Sequence, residues 1–354
     1  MPMPFPADAV PLLLDWYRAN RRDLPWRENR DAYRVLVSEI MLQQTRAETV
    51  KPYFARFLAA FPTPAALAAA DEEALLKLWE GLGYYSRARN LQKAARVITD
   101  TYGGHVPADF DALLALPGVG RYTAGAVASI AYDIPVPAVD GNVLRVLARL
   151  RGDDTDVLSP AAKADAEAAL APHIPTPGAG DFTQSLIELG ALICTPGMTA
   201  TCEDCPVRLL CAAAREGRVA DLPVRLAKTR RRVETRTVLR VLYTDEGGRT
   251  ITAIRRRPDT GLLAGLYEFP CLDGHADEDT VRAVLTSDGL SVGEVRRLPD
   301  AKHLFSHIEW QMRGYAVVLT APPADVADWL FVPVGEVERT YAVPSAYRAY
   351  RGDI

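Results

Sequence analysis

An all-α domain followed by a smaller α+β domain is the architecture this sequence predicts, and two observations predict it. Residues 8 to about 215 carry helix start and stop signals throughout, with no alternating strand pattern between them. After a basic stretch, Arg225–Arg240, with seven Lys or Arg against one Glu, β-rich runs and glycine-rich turns take over. A chain of 354 residues is long for one domain, and 49% hydrophobic residues is ample core for two. The boundaries expected are 1–216 for the helical domain, 217–235 for a basic linker and 236–354 for the second domain.

Within the first domain, Asp31 caps a helix running to about Gln43. Thr45 with Glu48 reads as a capping box for the next helix, which carries Phe54, Phe57, Leu58 and Phe61. Asp71 starts another, ended by Gly81 and Gly83. Further helices fit Ser86–Thr101, Asp109–Ala115, Arg121–Tyr132, Gly141–Arg151, Ala161–Ala171 and Phe182–Cys194. In the second domain, Thr237–Tyr243 and Thr250–Arg256 flank Asp245-Glu246-Gly247-Gly248, a hairpin signal. Asp279–Leu285 fits a short helix and Gly314–Thr320 a strand.

No run approaches 18 apolar residues, so no membrane-spanning helix is expected. Met1-Pro2-Met3-Pro4-Phe5-Pro6 has neither the basic flank nor the apolar stretch of a secretory signal, which points to a cytoplasmic protein. A net charge of −4 argues mildly against nucleic acid, but a local basic face binds phosphate whatever the total. Five cysteines are present, four of them within residues 194–211. Such a cluster reads as metal-binding in a reducing compartment, and four thiolates suit either zinc or iron–sulfur. Cys271 stands apart as an ordinary thiol.

Leu116-Pro117-Gly118-Val119-Gly120-Arg121 lies between two short helices, in the region 109–132. Glycine permits the tight turn, and the turn can aim backbone N–H groups at a phosphate. A plain connector would look the same. Asp140, before Gly141-Asn142-Val143, is a good helix N-cap, and an ionised carboxylate at that place can equally stabilise a sugar cation. Glu39 sits among apolar residues, Val35-Leu36-Val37-Ser38-Glu39-Ile40-Met41-Leu42. A solvated helix charge is the ordinary alternative, but a buried carboxyl is raised towards neutral, as a general acid requires.

These segments together resemble the MutY-type adenine DNA glycosylases, within the helix-hairpin-helix DNA glycosylase superfamily, with a C-terminal Nudix-like domain. The resemblance rests on Leu24-Pro25-Trp26-Arg27, Ser38-Glu39-Ile40-Met41-Leu42-Gln43-Gln44-Thr45, Gly81-Leu82-Gly83-Tyr84-Tyr85-Ser86-Arg87, the hairpin, Val139-Asp140-Gly141-Asn142 and Glu188-Leu189-Gly190-Ala191. It implies a base-flipping DNA repair enzyme that hydrolyses the N-glycosidic bond of adenine opposite 8-oxoguanine or guanine. The implied partner is double-stranded DNA carrying that mispair, bound by a monomer alongside the chromosomal DNA.

Residue by residue, the resemblance implies that Glu39 protonates adenine and Asp140 supports the sugar cation, with Tyr122 and Asn142 assisting around Asp140. Trp26, Arg27 and Glu188 would line the base pocket, and Gln44 and Tyr84 would wedge into the base stack. Gly118, Val119 and Gly120 would hold phosphate through their backbone. In the second domain Phe305, Ser306 and His307 would read the base opposite. Cys194, Cys202, Cys205 and Cys211 would hold a 4Fe-4S cluster. Their spacers are seven, two and five residues where the family pattern is six, two and five, and the first loop lacks basic residues.

Three rival readings make different demands. An endonuclease III-type lyase needs a hairpin Lys where Tyr122 stands, and Leu144 also offers no amine. A non-catalytic zinc module has no use for Glu39. Nucleotide hydrolysis by the second domain needs a glutamate-rich metal helix, which Cys271–Leu285 does not supply.

Overall fold

Side-chain oxygens hold helix starts along the chain by accepting the backbone N–H three residues on. Asp31, Thr63, Asp71, Asp109, Asp140 and Ser159 bond to Arg34, Ala66, Ala74, Ala112, Val143 and Ala162 respectively. The computed structural model describes residues 2–226 and 231–352. Its helices through the cysteine region are α1 (Ala9–Asn20), α2 (Ala32–Leu42), α3 (Ala47–Ala60), α4 (Pro64–Ala68), α5 (Glu72–Trp79), α6 (Ser86–Tyr102), α7 (Phe110–Leu114), α8 (Arg121–Tyr132), α9 (Gly141–Arg151), α10 (Pro160–Leu170), α11 (Ala179–Leu192) and α12 (Ala212–Arg215). None among the described residues is long and apolar enough to cross a membrane.

By contact the chain divides into two units, Met1–Ala70 with Arg89–Lys228, and Asp71–Ala88 with Thr229–Ile354. The segment 71–88 therefore groups with the second unit, although the sequence reading keeps it in the first domain. The physical reason lies in its polar side: Tyr267 Oη donates to Glu73 Oε1 at 2.9 Å, and Lys77 Nζ donates to the Tyr341 carbonyl at 3.0 Å.

In the first unit, α2 and α8 are buried on nearly every face. Gly125 is what lets the chain pass α8, since a Cβ there would meet the Pro137 carbonyl oxygen at 2.2 Å. A second core joins Leu13 of α1, Val143 and Leu147 of α9, and Phe182 and Leu186 of α11, with Cys194, Cys205 and Cys211 packed at its edge. The helix start expected at Thr45 falls one residue later. Arg46 occupies the N-cap position of α3, and the Thr45 hydroxyl turns back to the Gln43 carbonyl.

The second unit is a mixed sheet with strand order β3-β2-β1-β6-β5, β4 pairing with β1 and β7 with β2. The strands are β1 (Arg232–Thr244), β2 (Thr250–Arg256), β3 (Tyr267–Glu268), β4 (Cys271–Asp273), β5 (Val292–Leu304), β6 (Ile308–Leu319) and β7 (Trp329–Pro333). Two helices accompany them, α13 (Glu278–Ser287) and α14 (Val334–Thr340). Strands β1 and β6 pair in parallel, and alternate residues feed two cores. Val238, Trp310 and Met312 join Phe269 and Tyr347 on one face, while Leu239, Val241 and Val317 join Val281 and Leu285 of α13 on the other.

Arg232–Thr235 is strand, not linker, paired with Ile308–Gln311. Its side chains are exposed or half-buried, so it has no apolar alternation to reveal it. The rest of the expected linker includes residues 227–230, which lie outside the described residues.

Candidate active site

Helix α2 carries Glu39 into the interior of the first unit, where it is only 6% exposed. Burial is the main cause that pushes its carboxyl up to about 7, opposed first by the hydrogen bond from Tyr122 and helped by the charge of Asp140. Tyr122, the second residue of α8, donates its hydroxyl to Glu39 Oε2 at 2.7 Å. The family resemblance has Tyr122 assist around Asp140; its hydroxyl bonds to Glu39, and the Asp140 charge lies near enough to act on it as well.

Asp140 is the N-cap of α9. Oδ1 accepts the Val143 N–H at 2.7 Å and Oδ2 accepts the Asn142 side-chain amide at 2.9 Å. Burial raises its carboxyl above the ordinary range, and these donors work against that rise. The two carboxyls are thus differently placed. Glu39 has one donor deep in the interior, whereas Asp140 has two donors and a helix N-terminus, so Asp140 ionises first.

Both carboxyls open onto one cavity of about 1060 Å³, lined also by Trp26, Arg27, Gln44, Tyr122 and Asn142. Trp26 stands edge-on to Phe54 at 5.5 Å. Arg27 donates to both oxygens of Glu188, at 3.0 and 2.9 Å. Glu188 itself is fully buried, and Arg22 adds three more hydrogen bonds to it. Burial alone would raise this carboxyl, but the two guanidiniums hold it down at about 2. It is a fixed anion that locks the orientation of Arg27. Gln184 accepts from Arg27 Nε at 3.0 Å. Gln44 is exposed at the rim with φ of 57°, a left-handed conformation costly for a residue with a side chain.

Gly118 and Gly120 are exposed in the turn between α7 and α8, with the Val119 side chain buried beneath. Gly118 has φ of 76°, and a Cβ there would meet Asn90 Cβ at 2.5 Å, so only glycine fits. The second unit holds the remaining candidates. Tyr84 has φ of 47° and is 45% exposed. Phe305-Ser306-His307 turns between β5 and β6; Phe305 packs on Trp310 at 4.9 Å, and the exposed Ser306 hydroxyl lies 3.1 Å from His307 Nδ1.

Four cysteines close the first unit. Cys194 follows α11, Cys202 and Cys205 bracket a 3-10 turn, and Cys211 is the N-cap of α12. Burial pushes the Cys205 thiol up to about 12, and the other three sulfurs push it the same way, so all four are near neighbours. Among the described residues no three such ligands converge closely enough for a single metal ion.

Sequence reasoning missed Arg22, Gln184, Arg145 and Arg149. Arg145 Nη2 donates to Asn142 Oδ1 at 2.8 Å and Nε to the Cys194 carbonyl at 2.7 Å. Arg149 reaches Cys194 Sγ at 3.4 Å and the Thr195 carbonyl at 2.8 Å. Two arginines four residues apart in the apolar run Val143–Leu150 were the available signal.

A family model described as HhH-GPD superfamily base excision DNA repair protein matches residues 37–172, and one described as NUDIX domain matches 240–351. The adenine DNA glycosylases of Mus musculus and Homo sapiens are 37% and 35% identical over 89% and 96% of this chain, covering 71% and 73% of their own lengths. The chain belongs to the adenine DNA glycosylases. The enzyme of Mycolicibacterium smegmatis is 43% identical over 62% of this chain and 76% of its own. Among solved structures, a thermostable thymine-DNA glycosylase matches with TM-score 0.53 and 32% identity over 59% of this chain and 96% of that one. An endonuclease III trapped covalently on DNA matches with TM-score 0.50 and 29% identity, over 60% and 98%. This glycosylase thus joins a helix-hairpin-helix domain to a Nudix-like domain.

Proposed function

We propose that this glycosylase extrudes adenine from opposite 8-oxoguanine, or guanine, and hydrolyses its N-glycosidic bond without cutting the strand. The observation that carries this reading is Glu39: a buried carboxyl, raised to about 7, opening onto the same cavity as Asp140. Adenine leaves poorly unless a ring nitrogen is protonated, and a carboxyl near neutrality is half-protonated where the enzyme works. Glu39 gives its proton to the base as the C1′–N bond breaks and the electron pair goes to adenine. Asp140, ionised, stabilises the oxocarbenium-like sugar. Water then adds to C1′ and returns a proton to Glu39. Tyr122, bonded to Glu39, holds the place a lyase would give to a lysine. Trp26 and Arg27 wall the base, with the buried Glu188 fixing Arg27 from behind; Gln44 fills the gap left in the stack, and Gly118, Val119 and Gly120 offer backbone N–H groups to phosphate.

Wild-type enzyme should excise adenine opposite 8-oxoguanine or guanine and leave adenine opposite thymine. Excision opposite thymine at a similar rate would refute the specificity.

Adenine itself is identical in right and wrong pairs, so the opposite base must be read. 8-Oxoguanine differs by an O8 acceptor and an N7–H donor, and a hydroxyl can serve both. Ser306 is the exposed hydroxyl of the Phe305–His307 turn, anchored by Phe305 on Trp310. Replacing Ser306 and His307 by Ala should narrow the preference for 8-oxoguanine over guanine, by about 0.5–1.5 kcal/mol or roughly 2- to 13-fold per lost bond. Single-turnover rates on the two duplexes give the ratio; an unchanged ratio places the reading elsewhere.

Four thiols from one short segment are the donor set a 4Fe-4S cluster takes, and the family to which the chain belongs supports the cluster over zinc. Cys194, Cys202, Cys205 and Cys211 would hold the cluster, which would supply a structural clamp on the end of α11. Purified enzyme should be yellow-brown with about four irons per chain. Stoichiometric zinc instead would overturn the assignment.

A further inference from the structure

We propose that Arg46 and Lys163 grip the DNA phosphates flanking the extruded nucleotide. The inference rests on the reading of the cavity as the base pocket. The chain carries a net charge of −4, so its hold on a polyanion depends on cations that no carboxylate of its own has neutralised. The cavity is bordered by Arg22, Arg27, Arg46 and Lys163. Arg22 and Arg27 are committed to Glu188. Arg46 and Lys163 form no ion pair among the described residues.

Their acidic neighbours are already taken. Glu48, two residues from Arg46, pairs with Lys51 at 2.8 Å. Beside Lys163 on α10, Asp165 pairs with Arg151 at 2.6 Å and Glu167 with Arg121 at 2.9 Å. Lys163 is half-buried and has no carboxylate partner among the described residues, so its charge remains available to a phosphate.

The two residues come from different places: Arg46 from the turn between α2 and α3, next to the rim residue Gln44, and Lys163 from α10, bordering the cavity together with Gly141 and Asn142 of α9. A nucleotide entering between them brings one phosphate on its 5′ side and one on its 3′ side. Nothing in the sequence marks either residue. Arg46 reads as a helix-start residue and Lys163 as a solvated face.

The test is the salt dependence of binding, which counts phosphate contacts. Each lost contact lowers the slope of log K against log salt by about 0.9, so sensitivity between 50 and 200 mM KCl falls about 3.5-fold per residue. The probe is a duplex with 2′-fluoro-2′-deoxyadenosine, which resists hydrolysis, opposite 8-oxoguanine. Arg46→Gln and Lys163→Gln should each show this drop and the double variant roughly twice the change in slope, while Lys163→Arg keeps the wild-type slope. On an ordinary adenine–thymine duplex, where no nucleotide is extruded, the slopes should match wild type. Unchanged slopes on the probe overturn the clamp. So does borohydride trapping of a covalent product complex that vanishes in Lys163→Gln, because the amine then reaches C1′ and not phosphate. Wild-type excision of adenine in the same preparation separates failure of the clamp from failure of the base-pocket reading.

Discussion

Glu39→Gln should leave DNA binding intact and lower base excision by about a thousandfold or more. An amide has the shape of the carboxylic acid but no proton to give, and one positioned acid–base group contributes roughly 10²- to 10⁴-fold. The pH profile makes the prediction sharper. Burial holds the Glu39 carboxyl up at about 7, so its protonated fraction, and the single-turnover rate with it, should fall as pH rises through 7. The Gln variant should lose that limb and keep only a low, flat residual. The same shift has a stability consequence of definite sign. A carboxyl raised on folding binds more protons in the native state than in the unfolded one, so its contribution is full below the unfolded value and is lost as pH rises through 7. The variant should therefore gain melting temperature relative to wild type between pH 6 and 8. Wild-type rates in the variant, or an unchanged alkaline limb, would remove Glu39 from the chemistry.

What could be read from the sequence follows what physics leaves in a local window. Helices α8 and α9 stand where their punctuation puts them, because Gly120 and Asp140 start them and left-handed Asp133 and Gly152 end them. Glu39 could be found because a carboxylate in an apolar run is a local anomaly, and Asp140 because a cap is a local motif. What was hidden depends on distant partners. Arg22 looks like part of a solvated Arg21-Arg22-Asp23 run, and only the fold brings it to Glu188, 166 residues away. The destination of the Tyr122 hydroxyl depends on how α8 packs against α2. The 13-residue strand β5 went unseen because its exposed and buried residues follow no even alternation, and register shifts between Val292 and Val295 and between Leu298 and Ala301 break the period.

Asp140→Asn should cripple excision by a factor on the order of 100 to 1000 while barely changing stability, and the contrast separates the two roles of this residue. As an N-cap, Asp140 accepts the Val143 N–H, and Asn caps about as well as Asp. Loss of the cap itself, as in Asp140→Ala, costs about 1 kcal/mol. As an electrostatic group, Asp140 supplies a negative charge at the cavity where a sugar cation develops, and removing one preorganised group of this kind costs roughly 10²- to 10³-fold. The Asn side chain loses that charge outright. It also sets an NH₂ group against the Asn142 amide that now donates to Oδ2, so one of the two amides must flip. Asp140→Ser provides the control, a capping residue that bears no charge and offers no competing amide. Single-turnover excision and thermal melts on the three variants decide the matter. If Asn and Ser keep the wild-type melting temperature and lose the rate, the charge is what catalysis requires. If rate loss follows melting temperature across the series, Asp140 is a cap and the sugar cation is stabilised by another group.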